Sequence, residues 1–441
     1  MSLFQLERER DIDELVRTLR RSDNPSVRQR AAEIIGGLFE SDDIDDSALL
    51  LESETENELG LESEKEGDSD PKSVVDVLVS VVGTDESEGV RAAAIDALDR
   101  HSQEALERVV TELSGESLDS TADWVAARAF AEVLDDDQPE LRMAAATGLG
   151  RIGDPSVTSA LVDRLDDTDS RVRARSAVAC GRIGDPRAVE PLEARLEDDR
   201  NVAVRKAAAE ALGEIKTEGA LKVLLSNADD PDESVRRVIA DSLGAFGSVA
   251  PVETLTEYLE DDHEAVRRTA MFSMVEILSN APPQRSHEVR EATADKLDSA
   301  TASEVIPPLA EILKESSGTP QRRNSAWLLG RVVGTQHRDL AREALIGALA
   351  DDDGMTAQFA ATSLTQLDDP ALEEELLELV HDQEGDETAR SKALFVLGKV
   401  GGETTRTDLG EFVDRTDSDA LREQAFSALS KLGGIGAGEM S

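Results

Sequence analysis

Apolar and small residues recur along this chain at helical spacing in short blocks, each followed by a turn and a second, shorter block. From Val172 to Ile183 the positions Val172, Ser176, Val178, Ala179, Cys180 and Ile183 mark one side of a first helix. Gly184 then offers the left-handed conformation that ends a helix, Asp185 can cap the next one, and Pro186 suits its first turn, where no backbone donor is needed. A second helix runs through Val189, Leu192 and Leu196 and stops at Glu197, Asp198 and Asp199. The preceding block repeats these signals with Ile152, Gly153, Asp154 and Pro155, followed by Val157, Leu161 and Leu165.

The blocks share a phase. An arginine follows the first core position in units beginning at Val27, Val90, Leu141, Val172, Val204, Val235, Val266, Gln321, Ala389 and Leu421. A further unit at Thr356 has Ala357 in place of the arginine. Between Leu141 and Val266 the spacing is 31 or 32 residues, a period that predicts stacked helical hairpins, none able to bury its apolar side without neighbours. Four residues into each first helix stands a small residue, such as Ala145, Ser176, Ala208 or Ala393, with Ile239 the exception. Five positions later glycine recurs, as Gly36, Gly150, Gly181, Gly213, Gly244, Gly330 and Gly398, which predicts close approach of neighbouring helices.

Departures from the period divide the chain further. The first two units lie 63 residues apart, and the stretch from Ser41 to Pro71 is dense in Asp, Glu and Ser, with apolar islands at residues 48–51 and 59–61. An acidic, disordered insertion is expected over 41–72, ahead of a helix starting near Ser73. An extra helix is expected from Thr121 to Leu134. Between Val266 and Gln321 the spacing grows to 55 residues, and this irregular expansion, 280–320, is expected to hold helices around His287–Leu297 and Ile306–Leu313 and to bend or divide the array. The glycine-rich tail, 433–441, is expected to be flexible. The expected organisation is one all-α solenoid over 1–432 with about eleven or more hairpins.

Charge changes the setting. Against 94 acidic residues stand 47 basic ones, a formal charge of −47, and only ten of the cations are lysine. Such a chain repels itself in dilute buffer, and screening shortens from about 10 Å at 0.1 M salt to about 3 Å at 1 M. The composition resembles that of proteins from salt-accumulating halophiles. Aromatics are only 3% of the residues, which suits closely stacked helices with Ala and Leu cores. No run of 18 apolar residues and no basic-then-apolar leader occurs, so neither a membrane span nor a signal peptide is expected, and the location is expected to be cytoplasmic. The one cysteine, Cys180, falls at a core phase held by leucine in other units, such as Leu149 and Leu212, and reads as core.

The sequence Val-Arg, then alanine, then Leu-Gly-x-Ile-Gly-Asp-Pro resembles the HEAT-like repeats first recognised in phycobilisome lyases, over nearly the whole chain and best from Leu141 to Glu260. The resemblance implies a right-handed α-solenoid whose recurrent arginines pair with aspartates to tie repeats together. Arg28, Arg91, Arg142, Arg173, Arg205, Arg236, Arg267, Arg322, Arg390 and Arg422 occupy that position. The family includes members in halophilic archaea associated with taxis signalling and motility, and the opening residues Leu3, Phe4, Gln5, Leu6 and Glu7 are similar in texture.

Several strings mimic chemistry. Gly148, Gly150 and Gly153 match a dinucleotide fingerprint, but they close a helix instead of opening one after a strand. His263–Glu264 and His287–Glu288 are similar to the His-Glu pairs of the HEAT-repeat deoxyhypusine hydroxylases, yet two pairs stand where that family has four. His101, His337 and His381 form no ligand spacing, and the acidic loops at 166–169 and 351–354 lack the full spacing of a calcium loop. Beside the arginine phase, Lys206, Arg237, Arg268 and Arg323 add a second cation in four units. If they share a surface they form a positive stripe able to meet an acidic partner or phosphate; otherwise they satisfy nearby carboxylates.

The sequence therefore points to a non-enzymatic adaptor that binds other proteins along the concave face, in a taxis or motility assembly. No cofactor, metal or small-molecule substrate is expected, and the charge argues against nucleic acid. The alternative is a lyase-like or metal-dependent enzyme on the same scaffold.

Overall fold

Residues 2–39, 73–114, 123–298, 302–332 and 337–433 are described in a computed structural model of the chain. They form helices and no strand, an all-α solenoid of stacked hairpins. The expected acidic insertion and the glycine-rich tail, apart from Gly433, lie outside the described residues. The chain divides into two compact units, 1–223 and 224–441. That boundary falls in α13 below, and not in the irregular 280–320 stretch.

The first unit contains α1 (Leu3–Glu9), α2 (Ile12–Arg21), α3 (Pro25–Phe39), α4 (Val74–Thr84), α5 (Glu88–His101), α6 (Gln103–Ser114), α7 (Asp123–Val133), α8 (Pro139–Ile152), α9 (Thr158–Arg164), α10 (Ser170–Ile183), α11 (Val189–Asp198) and α12 (Val202–Ile215), and α13 (Glu218–Ser226) carries the boundary. In the second unit follow α14 (Glu233–Gly244), α15 (Val252–Tyr258), α16 (Glu264–Asn280), α17 (Ser286–Asp298), α18 (Ala302–Glu315), α19 (Thr319–Leu329), α20 (Arg338–Gly347), α21 (Gly354–Leu364), α22 (Leu372–His381), α23 (Glu387–Val400), α24 (Glu403–Arg415) and α25 (Asp419–Lys431). The first helices of the units pack side by side: α3, α5, α8, α10 and α12 in one row, α14, α16, α19, α21, α23 and α25 in the other.

The turn chemistry is local. Gly184 ends α10 at φ 70°, Asp185 accepts a hydrogen bond from the Arg187 amide, and Pro186 opens a single 3-10 turn before α11. Gly153 and Asp154 do the same one unit earlier. Within α10 the core is Val172, Ser176, Ala177, Ala179, Cys180 and Gly181, whereas Val178 and Ile183 are only half-buried. Burial pushes the Cys180 thiol up to about 12.

Glycine sets how closely these helices approach. A Cβ on Gly150 would stand 2.8 Å from Ala179 Cα, and one on Gly398 would stand 2.8 Å from Ala428 Cα. Gly36 against Ala97, Gly181 against Ala211, Gly244 against Ser273 and Gly330 against Ser363 repeat the crossing. In each case the glycine, nine residues after its unit's start, meets the small residue seven after the next start. Any larger pair would push the helices apart and open the core.

The irregular stretch is helical. Its α17 reaches two other helices and the turn after one of them: Lys296 bonds Glu253 on α15 at 3.3 Å, Arg290 bonds Asn324 on α19 at 3.4 Å, and Arg331, just past α19, donates to Glu291 at 3.3 Å. Asn324 in turn donates to Ser279 of α16 at 3.0 Å.

Candidate interaction surface

Two sets of side chains project from the first helices, one into the turns and one toward solvent. The turn set is an arginine ladder. Arg142 donates through Nε and Nη2 to both oxygens of Asp167, each at 2.8 Å, and through Nη1 to the carbonyl oxygens of Asp136 and Asp137 at 2.9 and 3.0 Å. Arg28 on Asp85, Arg173 on Asp199, Arg236 on Asp261 and Arg322 on Asp351 form the same fork, with N–O distances of 2.7–3.1 Å. Each aspartate also accepts the amide two residues on, as Asp167 does from Asp169 and Asp199 from Asn201. One carboxylate thereby caps its own turn and holds the preceding unit's arginine. Burial works to raise these carboxyl groups, but the arginine and amide hydrogen bonds outweigh it and hold Asp85, Asp167, Asp199, Asp261 and Asp351 below the usual value.

The rest of the ladder varies. Arg91 takes Glu140 at 2.9 Å, Arg205 and Arg267 reach the carbonyl oxygens of Asp199 and Asp261 at 2.9 and 2.6 Å, and Arg390 donates to Val380 O at 3.0 Å. Arg422 bonds Thr416 O and the exposed Asp419.

The second set lies two, six and ten residues after the unit start, one face of a helix, and in every first helix but α8 these positions are exposed or half-buried. In the first unit this face is crossed by ion pairs that link α5 to α10 over α8. Arg182 reaches Asp99 at 3.1 Å, Arg175 pairs with Asp96, and Arg171 bonds Glu88 O at 3.2 Å and lies 3.5 Å from Glu140. Beneath them α8 is buried from Glu140 to Gly150. Desolvation raises the Asp96 carboxyl, against the pull of Arg175. Beside this clasp, Asp99, Arg100, Gly150, Arg151 and Arg182 line a cavity of about 440 Å³.

In the second unit the same face carries aromatic rings under cations. Arg268 lies over Phe272 at 5.9 Å and Arg331 over Trp327 at 4.9 Å, while Lys399 and Lys431 flank Phe395 at 4.7 and 5.1 Å. Phe272 is 38% exposed, and Trp327 and Phe395 are half-buried, whereas Phe130 and Phe412 lie in the core. The four predicted stripe residues are divided between the units. Lys206 lies in the first, half-buried, and Arg237 in the second, exposed; Arg268 already pairs with Glu311, and Arg323 with Asp353 at 2.6 Å. The aromatic and lysine positions were missed in the sequence, although their shared phase was there to find.

The His-Glu pairs stand at helix starts. His263 is the N-cap residue of α16, with its ring 3.4 Å from Arg236, and His287 is exposed on the first turn of α17 while Glu288 pairs with Arg285. Among the described residues no group of three or more His, Cys, Asp or Glu converges as metal ligands, and no helix is long and apolar enough to cross a membrane.

Comparison with known proteins places this architecture. The chain is 43% identical to the HEAT repeat-containing taxis protein OE_2401F of Halobacterium salinarum, across 98% of this chain and 99% of the relative. Among solved structures, importin beta is 14% identical with a TM-score of 0.38, covering 96% of this chain, which spans 61% of importin's length. The CpcE–CpcF complex of phycocyanin lyase from Nostoc sp. PCC7120 is 18% identical with a TM-score of 0.33, over 72% of this chain and 97% of that one. The HEAT repeats family matches residues 127–211, 194–276 and 342–430, and the chain belongs to that family.

Proposed function

We propose that this chain is a non-enzymatic adaptor, binding other proteins through the solvent-facing side of its first helices within a taxis signalling assembly of a halophile's cytoplasm. The observation that carries the reading is the row of cation-covered aromatics at Phe272, Trp327 and Phe395. Partly exposed aromatics with stacked cations are of the kind enriched at protein interfaces, and repeat faces offer contact area without a deep pocket. The taxis context rests on the 43% identity to the Halobacterium protein. Arg237, Arg268 and Arg323 extend the same face, and the Arg–Asp forks hold the helices in register behind it.

Affinity capture from a native lysate in concentrated KCl tests this, comparing the intact chain with one carrying Lys206, Arg237, Arg268 and Arg323 changed to glutamine. The adaptor reading expects a protein at near-equal stoichiometry, weakened in the variant. A purified chain that brings no protein but carries a metal or chromophore supports the enzyme reading instead.

A further inference from the structure

In a chain with 94 acidic residues and ten lysines, three lysines stand together at the end of the second unit. Lys392 and Lys399 are seven residues apart on α23, hence on one face, and Lys431 comes from the neighbouring α25. Phe395 lies between them, with both Lys399 and Lys431 over its ring. Lys392 donates to the neutral Gln358 at 2.6 Å, and among the described residues no carboxylate pairs with any of the three. Elsewhere lysines in this unit are compensated, Lys296 by Glu253 at 3.3 Å and Lys314 by Glu343 at 2.8 Å.

Three uncompensated ammonium groups beside a half-buried ring repel one another and attract carboxylates. In concentrated salt only direct contacts survive screening, so the useful ligand brings its carboxylates to the ammonium groups and an apolar side chain to the ring. Resting on the adaptor reading, we propose that Lys392, Phe395, Lys399 and Lys431 form a docking site for an acidic segment of a partner protein. A short segment is favoured over a nucleic acid because its few charges engage the patch without a long polyanion facing a chain of net charge −47.

The test uses the full chain in about 1 M KCl, where screening falls to about 3 Å, and fluorescence anisotropy of a labelled short peptide alternating glutamate and leucine. The native chain is expected to bind it. The double variant Lys399→Gln and Lys431→Gln is expected to bind about fivefold or more weakly, since each exposed contact is worth up to about a factor of five. Phe395→Leu is expected to weaken it as well, and Lys399→Arg with Lys431→Arg to retain it. Unchanged far-ultraviolet dichroism shows that the fold persists in each variant. No binding by the native chain, equal binding by the glutamine variant, or preference for an oligothymidylate probe overturns the proposal. Capture of a cellular partner that is indifferent to these substitutions also overturns it while leaving the adaptor reading intact.

Discussion

Replacing Arg142 by methionine removes the best-buried rung of the ladder. The side chain is 9% exposed and that of Asp167 3%, and the change deletes two bonds to the carboxylate and two to main-chain carbonyls. Asp167 is left with the Asp169 amide at 2.8 Å as its remaining hydrogen bond and Arg164 as a nearby charge. An uncompensated buried carboxylate costs about 3–5 kcal/mol, and with Arg164 near by the expected loss is about 3 kcal/mol. The paired change Arg142→Met with Asp167→Leu is expected to recover most of it, because removing both charges removes the desolvation problem. Arg422→Met is the control: its carboxylate partner, Asp419, is 97% exposed, and the loss is expected to stay within about 1 kcal/mol. Guanidinium denaturation followed by dichroism, with hydrogen exchange resolving α8 and α10, measures all three. A loss below about 1 kcal/mol for Arg142→Met, or a double variant as unstable as the single, refutes the reasoning.

Three further outcomes follow from the same structure. Gly398→Ala is expected to destabilise by about 1 kcal/mol or more, because its Cβ meets Ala428 Cα at 2.8 Å, whereas Gly410→Ala, with nothing within 4 Å, gains about 0.5–1 kcal/mol of helix stability; paired thermal melts decide it. Because Asp85, Asp167, Asp199, Asp261 and Asp351 have lowered folded values, their stabilisation is complete above the ordinary carboxyl value of 3.8 and is lost as pH falls through the lower folded values. Acid titration should show unfolding below about pH 4, and variants without these aspartates should have a flatter profile. Far-ultraviolet dichroism is expected to show full helicity in about 2 M KCl and loosening in dilute buffer, and an unchanged melt in 0.1 M salt contradicts the charge argument.

What the sequence made legible was whatever the stack itself constrains. Gly184, Asp185 and Pro186 announce their turn because each residue type does a job others do poorly there. The glycine at Gly150 and the alanine at Ala179 recur because the helices touch at that point. The helices around 123–133, 286–298 and 302–315 were also readable, close to their observed ends. Positions outside the core carry no such constraint, so the rings at Phe272, Trp327 and Phe395, exposed or half-buried, left no core signature. The α5–α10 clasp joins residues as far apart as Asp99 and Arg182, 83 positions, a pairing that depends on how three helices stack and not on any local period. Likewise, the second basic phase was visible, but only the structure shows Arg268 and Arg323 already engaged by Glu311 and Asp353.

Hydrogen exchange of the full chain in concentrated KCl, with and without its captured protein partner, tests the adaptor claim most directly. Protection spread over the solvent-facing sides of α16, α19, α23 and α25 is the predicted result. Protection confined to a single cavity, such as the one lined by Asp99, Arg151 and Arg182, or protection produced by a small molecule or metal in place of a protein, would contradict it.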